Sequence, residues 1–422
     1  MRVLIVNTSE RTGGAAIAAN RLMEALKNNG VKAKMLVRDK ETGQITVCAL
    51  RKSWRNRFRF VWERVVIWKA NAFKKHNLFQ VDIANTGADI TSLPEFKEAD
   101  IIHLHWINQG FLSLKSIRKI IDSGKPVVWT LHDMWPFTGI CHYSGSCDKY
   151  LTECHHCPLL LHGGSQKDLS TRVFRKKEKM LRGAHITFVA CSQWLEKLAS
   201  QSALLTGQRV VSIPNAINTS LFRPENKATA RLSFNLPADK ILLLFSSMKI
   251  TDKRKGIDFM VEACRYLAET QPQLAEKLGI VIVGKEAAAM KGMFPFPVYA
   301  VDYVVDEKRM ASLYNAVQAF VTPSLQDNLP NTIVEAMSCG TPCVGFEVGG
   351  IPEMIDHKIN GYVARYQDSE DLAEGILYVL QQADYDSLSR AAVKKAGMTY
   401  GESAVAMKYI KIYNQSTDRA KA

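Results

Sequence analysis

The sequence predicts an α/β protein of two doubly wound, Rossmann-like domains facing across a cleft, and three observations carry that prediction. Short apolar runs alternate with amphipathic helical stretches from end to end, the pattern of parallel strands joined by crossover helices. The alternation stops at an Asn-, Pro- and Thr-rich segment, 215–224, and then restarts. A length of 422 residues is enough for two ordinary cores.

In the first half the apolar runs are Arg2–Ser9, Val31–Val37, Asp100–Trp106, Val127–Asp133, Thr187–Ser192 and Val210–Asn215. Helical patterns between them cover Gly14–Asn29, Ser113–Ser123 and Asp168–Arg182. In the second half, strands are predicted at Ile241–Met248, Gly279–Gly284, Pro297–Val304, Ala319–Ser324 and Pro342–Val348. Helices fill Gly256–Thr270, Asp306–Ala316, Pro330–Cys339 and Ser369–Gln382. The domains are then 1–215 and 216–400, followed by a last helical stretch within 401–422. Ligands of such sheets sit beyond the carboxyl ends of the strands.

Composition narrows the function classes. Hydrophobic residues make up 47% and charged residues 23%, as in a globular protein. No apolar stretch approaches the ~18 residues of a membrane span, and no secretion signal opens the chain. A cytoplasmic protein is expected. The formal charge of +14 sits in one half: residues 1–210 carry 32 Lys and Arg against 17 Asp and Glu, whereas residues 211–422 carry 23 against 24. So localised a field implies an acidic partner: anionic lipid, nucleic acid or phosphate.

Several segments carry chemistry. Thr12-Gly13-Gly14 follows a strand and opens a helix, where backbone amides and the helix N-terminus favour an anion. Between Phe320 and Cys343 a strand ends at Pro323-Ser324 and is followed by the polar loop Leu325-Gln326-Asp327-Asn328-Leu329. A helix then starts near Pro330 and carries Asn331, Thr332 and Glu335. There a loop carboxylate can take sugar hydroxyls, helix amides a diphosphate, and the helix carboxylate ribose hydroxyls.

This segment resembles the E-x7-E region of family-4 glycosyltransferases of the GT-B fold, with Asp327 in place of the first Glu. Val348-Gly349-Gly350-Ile351-Pro352-Glu353 and Asn360-Gly361-Tyr362 are similar to that family too, as is Ile213-Pro214-Asn215-Ala216-Ile217-Asn218 with Ala216 and Asn218 for Gly and Asp. Lys249 and Lys255-Gly256 resemble the family's Arg and Lys, which neutralise the donor diphosphate without a metal; their separation is one residue longer, so Arg254 is an alternative to either. Gly13 and Gly14 match its glycine loop, and His132, in Thr130-Leu131-His132-Asp133, its strand-end histidine near the donor sugar. His105 and Trp106 end a neighbouring strand and are placed at the acceptor, with a core role the alternative for Trp106. The resemblance implies a retaining transferase with no protein nucleophile, no cofactor in catalysis, a UDP- or GDP-sugar donor, and a terminal helix, Glu402–Asn414, that crosses back to the first domain. A closer likeness to bacterial capsule, O-antigen and colanic-acid-type transferases implies a lipid-linked glycan acceptor and surface polysaccharide synthesis.

Two features lie outside that site. Cys141, Cys147, Cys154 and Cys157 fall within 17 positions, a spacing open to a structural zinc, to reduced thiols or to a disulfide pair. Residues 51–75 hold nine Lys or Arg and one acid, Glu63, with Trp54, Phe58, Val61, Trp62, Val65, Trp68 and Ala72 at helical spacing. That is the pattern of an interfacial helix on an anionic membrane, and its alternative is a helix whose aromatic face packs on its own domain. A second basic run, Arg172 to Arg182, reads as a solvated face. A GT-B epimerase or hydrolase and a non-enzymatic nucleic-acid binder are the rival functions; no nucleic-acid motif is present, and no nucleic-acid partner is expected.

Overall fold

The computed structural model describes residues 1–51 and 53–421, which divide into two compact units. The first, Met1–Pro214 with Val405–Ala422, opens with β1 (Arg2–Ser9), α1 (Gly14–Asn28), β2 (Lys32–Asp39), β3 (Val47–Ala49) and α2 (Trp54–Ala70). It continues with α3 (Pro94–Glu98), β4 (Ile101–Leu104), α4 (Leu114–Asp122), β5 (Val127–Leu131) and α5 (Leu169–Leu181). β6 (Ile186–Ala190), α6 (Gln193–Gln201) and β7 (Arg209–Ser212) complete its sheet. The strand order is β3-β2-β1-β4-β5-β6-β7, all pairings parallel.

The second unit, Asn215–Ala404, starts with α7 (Lys227–Leu232), β8 (Ile241–Lys249), α8 (Ile257–Thr270), α9 (Pro272–Ala275) and β9 (Leu278–Lys285). β10 (Val298–Val301), α10 (Glu307–Ala316), β11 (Ala319–Thr322), α11 (Asn331–Ser338) and β12 (Cys343–Phe346) follow. α12 (Ile351–Met354), β13 (Gly361–Ala364), α13 (Ser369–Leu377) and α14 (Tyr385–Lys395) come last. Its strand order is β10-β9-β8-β11-β12-β13, again parallel. α15 (Glu402–Lys421) leaves this unit and enters the first. No described helix is long and apolar enough to cross a membrane.

The central strands are buried on both faces, so they read as unbroken apolar runs; Val3 to Val6 are all within 2% of full burial. Helix starts are set by short polar side chains. Ser113 accepts from Ser116 N, Asp168 from Ser170 and Thr171 N, and Ser192 from Leu195 N. α15 is locked in by two phenols: Tyr413 Oη lies 2.8 Å from His103 Nδ1, and Tyr409 Oη 2.9 Å from Thr130 Oγ1.

In each sheet the strand order reverses beside the first strand, between β1 and β4 and between β8 and β11. The loops leaving those strands carry most of the residues singled out from the sequence. Rossmann-like sheets bind ligands at this switch point.

Candidate active site

In the second unit the β8 and β11 loops are fastened together. Leu325 N donates to Arg254 O at 2.8 Å, and Arg254 Nη1 donates to Gln326 O at 2.9 Å. Lys255 Nζ meets Asp327 Oδ2 at 2.5 Å, both side chains mostly buried. Two glycines make the approach possible. A Cβ on Gly256 would lie 1.9 Å from Pro323 O, and one on Gly349 1.7 Å from Asp327 O, and both residues have positive φ. The second contact gives the Val348-Gly349-Gly350 motif its physical role: it backs the Asp327 loop.

α11 begins four residues after Asp327, and its capping residue, Pro330, supplies no side-chain hydrogen bond. Asn328 and Leu329 are buried within the loop, and Asn331 and Thr332 are half-buried in the first turn. Asn331 Oδ1 accepts from Asn215 Nδ2 at 3.1 Å. Glu335 is buried and accepts from Tyr314 Oη at 2.8 Å. Tyr314 is a site residue that sequence reasoning missed, since nothing in its own segment signals a partner 21 positions away. Lys249 is exposed at the end of β8, while Arg254 is turned to Asp252 and Gln326, so Lys255 holds the position beside Asp327.

In the first unit Gly13 precedes α1 with φ +93, no side-chain cap, and open space where a Cβ would stand; conformation, not crowding, calls for glycine there. The exposed Gly14 begins the helix. Glu41 Oε1 braces this loop by accepting from Ser9 Oγ, Thr12 N and Thr12 Oγ1. Trp106, half-buried after β4, is pinned at both ends: its backbone N donates to Asn7 Oδ1 and its indole to Asp133 Oδ2, each at 2.9 Å. His105 departs from expectation. Its ring is buried, with only 3% of the residue exposed, and Nδ1 faces His132 Nε2 at 2.9 Å, so it supports His132 instead of lining an acceptor surface. Burial pushes His103 down to about 3, His132 to about 4 against the pull of Asp133, and His105 well below the ordinary imidazole range.

A buried chain of charges runs inward from Trp106. Asp133 Oδ2 bonds His142 Nδ1 at 2.7 Å, His142 Nε2 bonds Asp82 Oδ2 at 2.7 Å, and Asp82 pairs with Arg64 of α2. Glu63, beside it, accepts from Ile83 and Ala84 N. Burial disfavours the His142 cation, but its two carboxylates raise it to about 10; the same cation overcomes burial to hold Asp133 below its usual value.

α2 is thereby inverted. Glu63, Arg64 and Ile67 face inward, while Trp54, Phe58, Val61, Trp62, Val65 and Trp68 are exposed, Trp54 by 73%. The alternative in which the aromatic face packs on its own domain is overturned. Arg51, Arg55, Arg57, Lys69, Lys74 and Lys75 are exposed around that face, and Lys52 lies outside the described residues. Lys177, read as part of a solvated face, is instead buried, donating to Trp135 O and Thr138 O over the Trp135 ring.

The four clustered cysteines line one open pocket with His155 and Lys149. Among the described residues no three His, Cys, Asp or Glu side chains are arranged to hold a metal ion, and burial raises Cys141, Cys154 and Cys157 to about 12. All nine cysteines are free.

The architecture recurs in Anabaena HepE in complex with UDP-glucose, with a TM-score of 0.64 at 15% identity over 98% of this chain and 100% of that one. Two parallel Rossmann-like units with this strand order make the GT-B fold of glycosyltransferases. The sequence matches the description Glycosyltransferase Family 4 over residues 12–221 and Glycosyl transferases group 1 over residues 239–382, and the chain belongs to these family-4, group-1 glycosyltransferases. The putative colanic acid biosynthesis glycosyl transferase WcaC of Escherichia coli K12 is 23% identical over 74% of this chain and 76% of its own. A D-inositol 3-phosphate glycosyltransferase of Thermobispora bispora is 27% identical over 50% of this chain; the match spans about half its length, 52%.

Proposed function

We propose that this glycosyltransferase moves a hexosyl group from a UDP- or GDP-sugar to a lipid-linked glycan, with retention, at the cytoplasmic face of a bacterial membrane during surface polysaccharide synthesis. The observation that carries the reading is the Lys255–Asp327 pair at the uncapped start of α11, with Glu335 buried behind it. In this reading Lys255, Lys249 and the first α11 amides offset the charge gathering on the departing diphosphate. Glu335, steadied by Tyr314, takes the ribose hydroxyls, and Asp327 with Asn328 reads the sugar. His132 and the Gly13–Gly14 loop serve the donor from the first unit, and Trp106 the acceptor. The new bond to the anomeric carbon forms on the face from which phosphate leaves, and the acceptor hydroxyl's proton passes to that phosphate oxygen. No protein nucleophile is assigned.

The UDP-glucose bound to HepE supports the donor class, and WcaC's name supports the polysaccharide route. The exposed aromatic and basic face of α2 supports the membrane. Each cation near an anionic leaflet contributes ~1 kcal/mol, so six exposed ones suffice for reversible attachment. Thermal stabilisation across UDP-, GDP- and ADP-sugars is the direct test. A donor at about 100 times its Kd stabilises by ~2.7 kcal/mol. Folded protein that binds no nucleoside diphosphate would falsify the reading.

A further inference from the structure

α2 reaches the Trp106 segment by two routes through the interior of the first unit. One is the charged chain. Arg64 Nη1 donates to Leu78 O at 2.7 Å and to Val81 O at 3.1 Å, and Nη2 pairs with Asp82 Oδ1. Asp82 Oδ2 meets His142 Nε2 and Asp133 Oδ2 meets His142 Nδ1, each at 2.7 Å. The same Asp133 oxygen accepts the Trp106 indole at 2.9 Å, and Oδ1 is taken by Trp135 N. The other route is contact. A Cβ on Gly110, four residues after Trp106, would lie 2.7 Å from Phe60 N and 2.8 Å from Arg59 C, so the α2 backbone seats directly on the turn that follows Trp106.

The backbone of Trp106 is fixed by β1, since its N donates to Asn7 Oδ1 at 2.9 Å and its O accepts from Thr8 N at 2.8 Å. What remains to be set is the half-buried ring. Two neighbours set it: Asp133, which holds the indole N–H, and His142, whose ring lies against it with centroids 5.8 Å apart and planes at 30°. Both neighbours are linked to Arg64 through Asp82, which is 1% exposed. A carboxylate so buried cannot keep its place once the cation on Oδ1 is gone, because an unpaired buried charge is costly. It is left with His142, and any turn towards that ring draws His142 off Asp133 Oδ2.

We propose that Arg64 is a positioning residue for Trp106: from the inner face of α2, through Asp82, His142 and Asp133, it fixes the plane of the indole that meets the acceptor. This rests on the acceptor role given to Trp106 above. The helix whose outer face is given to the membrane thus sets, by its inner face, the aromatic surface offered to the lipid-linked glycan. α2 is then part of the acceptor machinery and not only an anchor.

The test uses full-length protein with ¹⁵N-labelled tryptophan, the indole signals of Trp106 and Trp129 being assigned by their loss in Trp106→Phe and Trp129→Phe. Trp129, whose Nε1 donates to His105 O at 3.1 Å, is the reference for an intact core. In Arg64→Met the Trp106 signal is expected to shift and its hydrogen exchange to quicken about tenfold, with the Trp129 signal unmoved. Arg64→Lys brings three N–H groups to the same three oxygens and should keep the wild-type signal. Acceptor KM, with UDP-glucose and a polyprenyl-diphosphate-linked glycan, should rise about tenfold in Arg64→Met, while the Kd for UDP-glucose stays as in the wild type. An unmoved Trp106 signal in folded Arg64→Met overturns the proposal, as does a Trp129 shift as large as that of Trp106. If Arg64→Met does not fold, Asp82→Asn, which keeps the shape and removes the carboxylate, is judged by the same signals. The spectra need neither donor nor acceptor, so a failed acceptor reading shows as an unchanged KM beside a shifted Trp106 signal.

Discussion

Replacing Lys255 with Met separates two jobs that the second unit gives to one side chain. Lys255 Nζ lies 2.5 Å from Asp327 Oδ2, with the two side chains 22% and 11% exposed. Breaking a fully buried ion pair costs about 3–5 kcal/mol, and losing an exposed one about 0–1. This pair lies between those limits, so a loss of about 2 kcal/mol is expected, or about 4–8 °C in the melting temperature of a unit of this length. Lys255→Met/Asp327→Asn leaves no stranded carboxylate and should recover most of that loss. Catalysis should not recover. Removing one preformed stabiliser of developing negative charge costs ~10²–10³ in rate, in the single and the double variant alike. Unfolding curves and initial rates on the preferred nucleotide-sugar give both quantities from the same preparations. If Lys255→Met is destabilised but turns over donor at the wild-type rate, Lys255 is only the structural partner of Asp327, and its diphosphate role is wrong.

Other outcomes follow from the same geometry. Glu335→Gln should weaken nucleoside diphosphate binding by roughly 10- to 100-fold by calorimetry, the value of one hydrogen bond to a charged group; Tyr314→Phe should produce a smaller loss in the same direction. Gly349→Ala, whose Cβ would meet Asp327 O, should displace the loop and lose donor binding even where the protein still melts cooperatively. Changing Trp54, Phe58 and Trp62 to Ser should abolish flotation with anionic vesicles and leave donor binding intact; equal loss of both would refute the division of labour. The histidines of the first unit make its stability pH-dependent. His142, raised to about 10, contributes fully below 6.5 and loses its contribution as pH climbs towards 10, whereas His103 and His132, lowered to about 3 and about 4, cost stability as pH falls below 6.5. Denaturant midpoints across pH 4–10 should show the acid limb, and the advantage of the wild type over His142→Gln should shrink as pH climbs from 6.5 towards 10.

The strands of both sheets were legible because central parallel strands must be apolar on both faces, and that leaves unbroken runs. β3 and β13, each an edge strand of its sheet, were missed. α6 and α14 were also passed over, their polar faces masking the buried side. The Asp327-to-Glu335 segment could be read because its chemistry lies within nine consecutive residues. What stayed hidden spans long separations: Tyr314 on Glu335, Tyr413 on His103, and Asp82 between His142 and Arg64. Glu63, the lone acid in a basic run, was a visible anomaly, and it turned out to face inward under Ile83 and Ala84. His105 was misread for a related reason, as an alternating pattern places a side chain on a face but does not say which neighbour fills that face.

The route of α15 bears on how the protein is made. The first unit is not a continuous piece of chain, and its last helix is synthesised only after all of residues 215–404. At ~5–20 residues per second, that interval lasts roughly 10–40 s on the ribosome. Through it the β4 and β5 ends lack Tyr409 and Tyr413, so His103 and Thr130 wait without the phenols that later seal them. The unit whose strands are made earlier is therefore the one that finishes folding last, while the second unit can close as soon as it emerges. A chain stopped just before Tyr409 loses the closing piece of its first core and keeps a complete second one.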